Sequence, residues 1–307
     1  MDLFEDLQGL MIRHHFKPDK KLSQFFCVNE ALLQFLVNEA KLSPKDTVLE
    51  IGPGTGFLTK RLLEKCRVVA IERDEIMTEL LSKEFEKEIL SGKLRLINSD
   101  VLETDIDALG VNKIVSLPPY HISSKLVGKI VLTNSIDLAV LVFDTGFVQK
   151  LIAFEGLSEY GSLSAFLNLN AKVEALEKIE AGSFFPTPNC VSEVVKMTFA
   201  RKNNSNEYLT FLKELFRHKN KDLNRGLIQA LVFLVKEIGW KMEYEKKFSK
   251  LKSTDKKVYA LSPKELLDVY EEVLGKKTVK AKNSKKKQTK ENKATKGAAK
   301  KVSKKNK

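Results

Sequence analysis

Three glycines at alternate positions are the residues whose type and spacing most directly indicate chemistry. Gly52, Gly54 and Gly56 follow the apolar residues 48–51 and precede a stretch with helical periodicity. A glycine-rich turn between a buried strand and a helix lets a nucleotide approach the backbone, because no Cβ stands in the way. The sequence therefore predicts a nucleotide-binding turn at the end of a strand, with a merely structural glycine turn as the alternative.

The spacing of these glycines separates two classes of ligand. A dinucleotide-binding turn has the pattern Gly-x-Gly-x-x-Gly, whereas this turn has Gly-x-Gly-x-Gly and carries Phe57 where a third glycine would stand. The tighter spacing resembles the first motif of methyltransferases that use S-adenosylmethionine (SAM). A dinucleotide oxidoreductase is the weaker alternative, since no acid or base for hydride transfer is recognisable.

Acidic side chains follow the next two predicted strands. Glu72 ends the apolar residues 67–71 and lies 20 residues beyond Gly52, where a carboxylate accepts the hydroxyl protons of a ribose. Asp100 follows the strand predicted at 94–98, where a side-chain acceptor meets an adenine amino group. Ligands of open α/β sheets bind at the carboxyl ends of the strands, so the glycine turn and both acids are expected to converge.

The fourth strand, predicted at 113–115, runs into the turn Ser116-Leu117-Pro118-Pro119-Tyr120. Two prolines stiffen this turn, which presents backbone carbonyls and the flat ring of Tyr120 to a planar substrate. The turn is therefore interpreted as a base-binding lip. His121 follows it, and a single histidine beside a turn is more often a packing residue than a general base.

The elements that must position these residues form an α/β fold. Strands and helices alternate from 48 to 200, which predicts a mostly parallel sheet with helices on both faces. Helical periodicity then predicts three helices, at 207–218, 222–239 and 263–274. The predicted divisions are an N-terminal extension at 1–20, a ligand-binding domain at 21–202, a small helical domain at 203–275 and a lysine-rich tail at 276–307.

Composition limits the class of protein. Of the 307 residues 43% are hydrophobic, enough for a substantial core, and no apolar run approaches the ~20 residues that span a bilayer. The acidic, hydrophobic residues 1–10 lack the basic start of a secretory signal, so we expect a cytoplasmic protein. The widely spaced Cys27, Cys66 and Cys190 argue against a zinc ribbon or a disulfide framework, and no metal site is predicted.

The positive charge is concentrated in the tail. The net charge is +13, yet residues 276–307 hold 15 lysines and a single acid, Glu291, which leaves −1 for the remaining chain. Such a segment cannot bury enough surface to fold, so we expect a flexible polycation. Attraction to nucleic-acid phosphates and a solubilising or targeting role remain alternatives for it.

Taken together, residues 22–266 resemble the ribosomal RNA adenine dimethyltransferase family, whose members dimethylate N6 of two adjacent adenosines near the 3′ end of small-subunit rRNA. Residues 49–59 are close to the family's glycine motif. The segment Lys21-Leu22-Ser23-Gln24-Phe25-Phe26-Cys27 resembles the motif that closes over SAM, usually written Gly-Gln-(Asn or His)-Phe-Leu. Segments 160–164 and 184–188 resemble two further signatures, the second near the target base.

The resemblance implies a class I SAM-methyltransferase fold, SAM as cofactor, and small-subunit rRNA or its precursor particle as partner of a monomeric enzyme. It also implies roles for individual residues. The implied cofactor-binding residues are Gln24, Phe26, Cys27, Glu50, Gly52, Gly54, Gly56, Glu72, Arg73, Asp100, Val101 and Leu117. The implied catalytic turn comprises Ser116, Leu117, Pro118, Pro119 and Tyr120, with Tyr120 and Phe184 against the target base and Arg217, Lys219 and Lys221 toward RNA.

One departure from the family motif concerns catalysis. The motif Asn-(Leu or Ile)-Pro-(Tyr or Phe) aligns with residues 117–120, which places Leu117 in the Asn position. The Asn oxygen would accept a hydrogen bond from the adenine amino group, and leucine has no acceptor. The Ser116 hydroxyl and the backbone carbonyls of Leu117 and Pro118 are the candidate replacements. Two functions follow: an active dimethyltransferase, or a weak or inactive relative that acts as a small-subunit assembly factor.

Overall fold

The computed structural model describes residues 2–19, 24–200, 205–251 and 255–275. The expected residues Lys21, Leu22 and Ser23 and the lysine-rich tail lie outside these ranges. The strands are β1 (Phe26–Cys27), β2 (Thr47–Ile51), β3 (Arg67–Glu72), β4 (Leu94–Asn98), β5 (Lys113–Ser116), β6 (Leu138–Asp144), β7 (Ala171–Ile179), β8 (Phe184–Phe185) and β9 (Ser192–Phe199). The helices are α1 (Leu3–Arg13), α2 (Glu30–Glu39), α3 (Phe57–Leu63), α4 (Glu75–Glu84), α5 (Glu86–Leu90), α6 (Ser123–Leu132), α7 (Thr145–Ile152), α8 (Ser162–Asn170), α9 (Asn206–Phe216), α10 (Leu223–Ile238), α11 (Glu245–Phe248) and α12 (Pro263–Leu274).

Seven strands form one sheet in the order β4-β3-β2-β5-β6-β9-β7. The first five in that order are parallel to one another, whereas β9 is antiparallel to both β6 and β7. The chain builds outward from β2 to β4 and then returns to the other side of β2 with β5. The predicted mostly parallel α/β sheet is confirmed, and the reversal beside β2 opens a crevice at its carboxyl end.

Alternate residues of the central strands feed two cores, one on each face of the sheet. Leu49 and Leu141 belong to the larger core, whereas Val48 and Val140, their chain neighbours, belong to the other. Strands buried on both faces need apolar residues at nearly every position, which explains the continuous apolar runs in the sequence. Helices therefore cover both faces, as predicted.

The C-terminal helices share a core with the sheet. Leu212 of α9, Leu227 of α10 and Leu266 of α12 lie in the same buried cluster as Leu49 and Ile114. The predicted helix at 263–274 is confirmed residue for residue, because Ser262 caps it and accepts a hydrogen bond from Glu265 N. The predicted boundary near 202 falls in the undescribed residues 201–204, so the division into domains stays a prediction.

Two further features of the fold bear on the site. The short strands β1 and β8 pair antiparallel and form a second sheet beside the first, which the sequence did not predict. Phe4 of the amphipathic helix α1 packs edge-on to Phe185, and Phe16, which follows that helix, packs edge-on to Phe26. Within the described residues no helix has the length and apolar character needed to cross a membrane.

Candidate active site

A cavity of about 470 Å3 lies at the carboxyl ends of β2, β3, β4 and β5. The residues that follow these four strands reach it together, as the sequence predicted. Its lining includes the predicted ligand-binding residues Gln24, Phe26, Cys27, Glu50, Gly52, Gly54, Glu72, Arg73, Asp100, Val101, Leu117 and Pro119. The volume is that of an ordinary small-molecule site.

At the glycine turn, Gly52 and Gly54 line the cavity with backbone atoms alone. Gly52 and Gly54 have φ of +66° and +56°, in the left-handed region where glycine carries no steric cost. A Cβ on Gly52 would lie 3.3 Å from the Pro119 ring, and one on Gly54 would lie 3.1 Å from the Phe26 ring. Side chains at these positions would therefore fill the space between the turn and the residues that cover it.

Gly56 has a different task from the other two glycines. It caps α3 with φ of +81°, and a Cβ there would lie 2.4 Å from the Phe85 ring. Gly56 is absent from the described lining of the cavity. In this structure Gly56 lets α3 pack against the helix that contains Leu81, and its direct contact with the cofactor stays a prediction.

Glu72 is held in place by three backbone N–H groups. Its Oε1 accepts from Arg73 N at 2.8 Å and Asp74 N at 2.9 Å, and its Oε2 accepts from Gly54 N at 3.3 Å. Burial raises the pKa of Glu72, although these hydrogen bonds oppose the shift. A carboxylate has about four acceptor positions, so Oε2 keeps capacity for a ligand hydroxyl in the cavity.

Asp100 and Val101 stand at the end of β4. Asp100 Oδ1 accepts from Leu102 N at 2.8 Å, and its Oδ2 lies 3.4 Å from the exposed Arg73 guanidinium. Val101 is buried in the larger core, to which Ile71 also belongs, and both residues line the cavity with an apolar surface suited to a flat ring. An acceptor beside an apolar wall matches the expected adenine pocket.

Glu50 is a second carboxyl group in the cavity wall, and it is fully buried. Thr59 Oγ1 donates to Glu50 Oε2 at 2.6 Å. Burial raises the pKa of Glu50 to about 8, and the neighbouring negative charge of Glu72 raises it further. Near neutral pH Glu50 is therefore largely protonated, and a cationic ligand group in the cavity would favour its ionised form.

A strap formed by residues 24–28 covers the cavity. Gln24 Nε2 donates to Asp74 Oδ2 at 2.5 Å, which ties the strap to the cap of α4. Val28 N donates to Ser183 O at 2.9 Å, so the far end of the strap is fixed beside β8. Burial raises the pKa of the Cys27 thiol to about 11, which keeps it protonated inside the strap.

The proline turn after β5 forms the opposite wall. Leu117 and Pro119 line the cavity, whereas Pro118 is buried away from it. Ser116 is also buried, and its hydroxyl is bonded to Ile51 in the neighbouring strand. The expectation that Ser116 reaches into the site is therefore corrected: its hydroxyl bridges two strands.

Tyr120 lies just beyond the cavity. Its hydroxyl is 2.6 Å from Ser192 Oγ, and its ring stacks on Phe25 with centroids 6.1 Å apart and planes 23° apart. Burial raises the pKa of Tyr120 to about 12, so the phenol stays neutral. Phe25 and Ser192 were not predicted to contact Tyr120, because both residues are distant from it in the chain.

Phe184 is placed differently from the prediction. Its side chain is only 3% exposed and belongs to the second core, and its backbone pairs with Cys27 through β8 and β1. A ring packed this way presents no face to a substrate. The predicted stacking of Phe184 on the target base is thus corrected to a structural role that anchors the strap.

The three predicted RNA-contacting residues lie at the end of α9 and in the turn between α9 and α10. Arg217 Nη1 is 3.1 Å from Glu214 Oε2, and its guanidinium lies over Phe233 at 5.5 Å. Lys219 Nζ donates to Ser158 O at 2.8 Å. Lys221 is exposed. Arg217 and Lys219 thus make intramolecular contacts, and their contact with RNA stays a prediction.

Comparison with known proteins agrees with this geometry. The family model described as ribosomal RNA adenine dimethylase matches residues 15–254. The chain is 34% identical to a probable ribosomal RNA small subunit methyltransferase A of Methanopyrus kandleri, over 73% of this chain and 81% of that one. It is 36% identical to a dimethyladenosine transferase of Yarrowia lipolytica, over 72% and 71%. The crystal structure of a dimethyladenosine transferase from Plasmodium falciparum superposes with a TM-score of 0.68 at 25% identity, covering 82% of this chain and 98% of that one.

Proposed function

The chain belongs to the ribosomal RNA adenine dimethylase family, and we propose that it dimethylates N6 of two adjacent adenosines near the 3′ end of small-subunit rRNA. It has the class I methyltransferase fold and uses SAM as methyl donor. The observation that carries the proposal is the convergence of Glu72 and Asp100 on one cavity above a side-chain-free glycine turn. None of the matching proteins named above is a dinucleotide oxidoreductase.

The residues present fit SAM. The glycine turn leaves room that a Cβ at Gly52 or Gly54 would fill, and the Glu72 carboxylate has an acceptor position left for a ribose hydroxyl. Asp100 supplies an acceptor for the adenine amino group beside the apolar Val101. The carboxyl groups of Glu72 and Glu50 suit a ligand that carries both an ammonium and a sulfonium charge, because such a cation would favour the ionised form of each.

When bound, SAM supplies an electrophilic methyl group on sulfonium. The contribution of this chain is to hold an adenine amino nitrogen in line with that group, and orientation accounts for much of such catalysis. Tyr120, fixed by Ser192, offers a ring face on which an extruded purine can stack. The strap at 24–28 excludes water from the cavity between the two ligands.

The adenine amino group needs acceptors, and this chain offers backbone oxygens. Leu117 has no side-chain acceptor, and the Ser116 hydroxyl is occupied by Ile51. The backbone carbonyl of Leu117, which lines the cavity, and that of the next residue, Pro118, whose ring is buried away from it, are the remaining candidates in the proline turn. We therefore assign to them the hydrogen bonds that orient N6.

The partner is ribosomal RNA, in line with the names of the relatives. As finer parts of the proposal, the substrate is the small-subunit precursor particle, and the enzyme acts as a cytoplasmic monomer. Departure at Leu117 favours a second candidate, a small-subunit assembly factor with weak methyl transfer. The two differ only in rate of transfer, so a rate measurement separates them.

Incubation with methyl-labelled SAM and undermethylated small subunits tests the proposal. We expect label in adenosine after digestion of the RNA to nucleosides. A family enzyme assayed in parallel shows that the particles are competent substrates. Label transfer by that enzyme but none by this protein would refute the proposed activity and leave the assembly factor.

A further inference from the structure

We propose that Phe25 is an aromatic gate that occupies the face of Tyr120 until an RNA purine displaces it. The inference rests on the proposed function, since it concerns how the target base reaches the methyl donor. It assigns to Phe25 a role in substrate access, in addition to its place in the strap over the cofactor cavity.

The rings of Phe25 and Tyr120 are placed differently relative to the cavity. Phe25 lines the cavity, while Tyr120 is missing from the described residues that line it. The two rings stack with centroids 6.1 Å apart and planes inclined by 23°. Phe25 therefore borders the cofactor cavity and also covers one face of the ring expected to receive the base. A purine stacked on that side of Tyr120 needs the space that Phe25 occupies.

The two rings are anchored unequally. The Tyr120 hydroxyl is 2.6 Å from Oγ of Ser192, a fully buried residue of β9, so the tyrosine ring is fixed to the large sheet. The Phe25 side chain is half-buried at the margin of the second core, against which it packs, and it has no polar group with which to form a hydrogen bond. Phe25 is thus the ring that moves, pivoting between the strap anchors at Gln24 and Val28.

The apolar side chains that border the cavity support an exchange of stacking partners on Tyr120. The SAM-closing motif has Asn or His where this chain has Phe25, and the catalytic motif has Asn where it has Leu117. Both positions border the cavity, and both are apolar here. These side chains therefore offer a base apolar contact and stacking instead of hydrogen bonds. Phe25 and the purine compete for the same face of Tyr120.

The test measures RNA binding without requiring methyl transfer. The probe is a hairpin with the 3′-terminal sequence of small-subunit rRNA and 2-aminopurine at one target position, titrated with the full chain saturated with S-adenosylhomocysteine. Phe25→Leu keeps an apolar strap but loses the competing ring, so we expect it to bind roughly 2- to 10-fold more tightly than wild type. Phe25→Trp stacks more strongly on Tyr120, and we expect weaker binding.

Quenching of the 2-aminopurine reports where the base stacks. It should persist in Phe25→Leu and fall in Tyr120→Leu. Equal or weaker binding by Phe25→Leu would overturn the gate, as would tighter binding by Phe25→Trp. If the wild type transfers no methyl group while the two Phe25 variants shift binding in opposite directions, the gate stands and the proposed activity fails. If methyl transfer is normal and the variants do not shift as expected, only the gate fails.

Discussion

The Ser116 hydroxyl is bonded to both backbone polar groups of Ile51. It accepts from Ile51 N at 3.2 Å and donates to Ile51 O at 2.5 Å, in an interior that excludes water. This bridge joins the ends of the two central strands beneath the cavity. Ser116 therefore shapes the site but cannot offer its hydroxyl to a substrate without breaking the bridge.

Leu117→Asn is expected to raise the rate of methyl transfer. An amide oxygen at this position adds an acceptor for the adenine amino group that backbone carbonyls alone now orient. Single transition-state hydrogen bonds of this kind are worth roughly 10²-fold in kcat. Single-turnover assays on small subunits measure the change, with Leu117→Ala as a control that adds space but no acceptor. A Leu117→Asn rate at or below wild type would contradict the assignment.

Glu72→Ala is expected to weaken SAM binding by roughly 10- to 100-fold, since charged hydrogen-bond partners are worth about 1.5–3 kcal/mol. The substitution removes the acceptor for a ribose and leaves the Gly54, Arg73 and Asp74 amides without their carboxylate. Calorimetric titration with SAM measures the effect. Glu79→Ala, which removes an exposed carboxylate of α4, is the matched control. Similar affinity in both variants would contradict the assigned site.

Gly56→Ala is expected to destabilise the fold more than Gly92→Ala. Both glycines have positive φ, so both substitutions carry a backbone cost of about 1–2 kcal/mol. A Cβ on Gly56 meets the Phe85 ring, whereas one on Gly92 meets nothing within 4 Å. Overpacking adds about 1–3 kcal/mol to the loss at Gly56. Denaturant unfolding measures both, and equal losses would show that the Gly56 contact carries no energy.

Stability is expected to depend on pH through Glu50. Its pKa is about 8 in the folded chain, against an ordinary value of 4.5, because burial disfavours the charge. The folded state therefore holds the proton more tightly, so this stabilisation is complete below pH 4.5 and is lost as the pH rises toward 8. The loss is at most about 1.4 kcal/mol per pH unit.

Glu50→Gln isolates this effect, since glutamine keeps an acceptor for Thr59 but does not titrate. Urea unfolding of the ligand-free protein at several pH values should give a shallower decline for the variant than for wild type. Coincident slopes would show that Glu50 is already ionised in the folded protein.

Much of this architecture was predictable from local sequence. Buried parallel strands and capped helices leave strong local patterns, as at β2 and α12, and the order of the acids Glu72 and Asp100 along the chain places them at one sheet edge. The patterns above do not predict strand β7, an edge strand rich in lysine and glutamate, because its alternation of small apolar residues extends only from Ala171 to Ala175 and is broken by a bulge before Lys178.

The errors at the site have a common physical cause. The motifs predict ligand contacts for Phe184 and Ser116, yet each is paired with or bonded to a residue distant in the chain. Those partners are Cys27 and Ile51 respectively. Motif position identifies which residues surround a site, whereas the direction a side chain faces depends on tertiary packing. Conversely, Phe25 was not among the predicted site residues, yet it lines the cavity and stacks on Tyr120.

The proposed dimethylation is tested most directly by mass spectrometry of small-subunit rRNA from the host, near its 3′ end, with and without this gene. We predict two adjacent N6-dimethyladenosines when the gene is present and unmodified adenosines when it is deleted. The wild-type gene should restore the modification. Unmodified adenosines in the presence of the gene, or dimethylation that persists without it, would contradict the assigned activity.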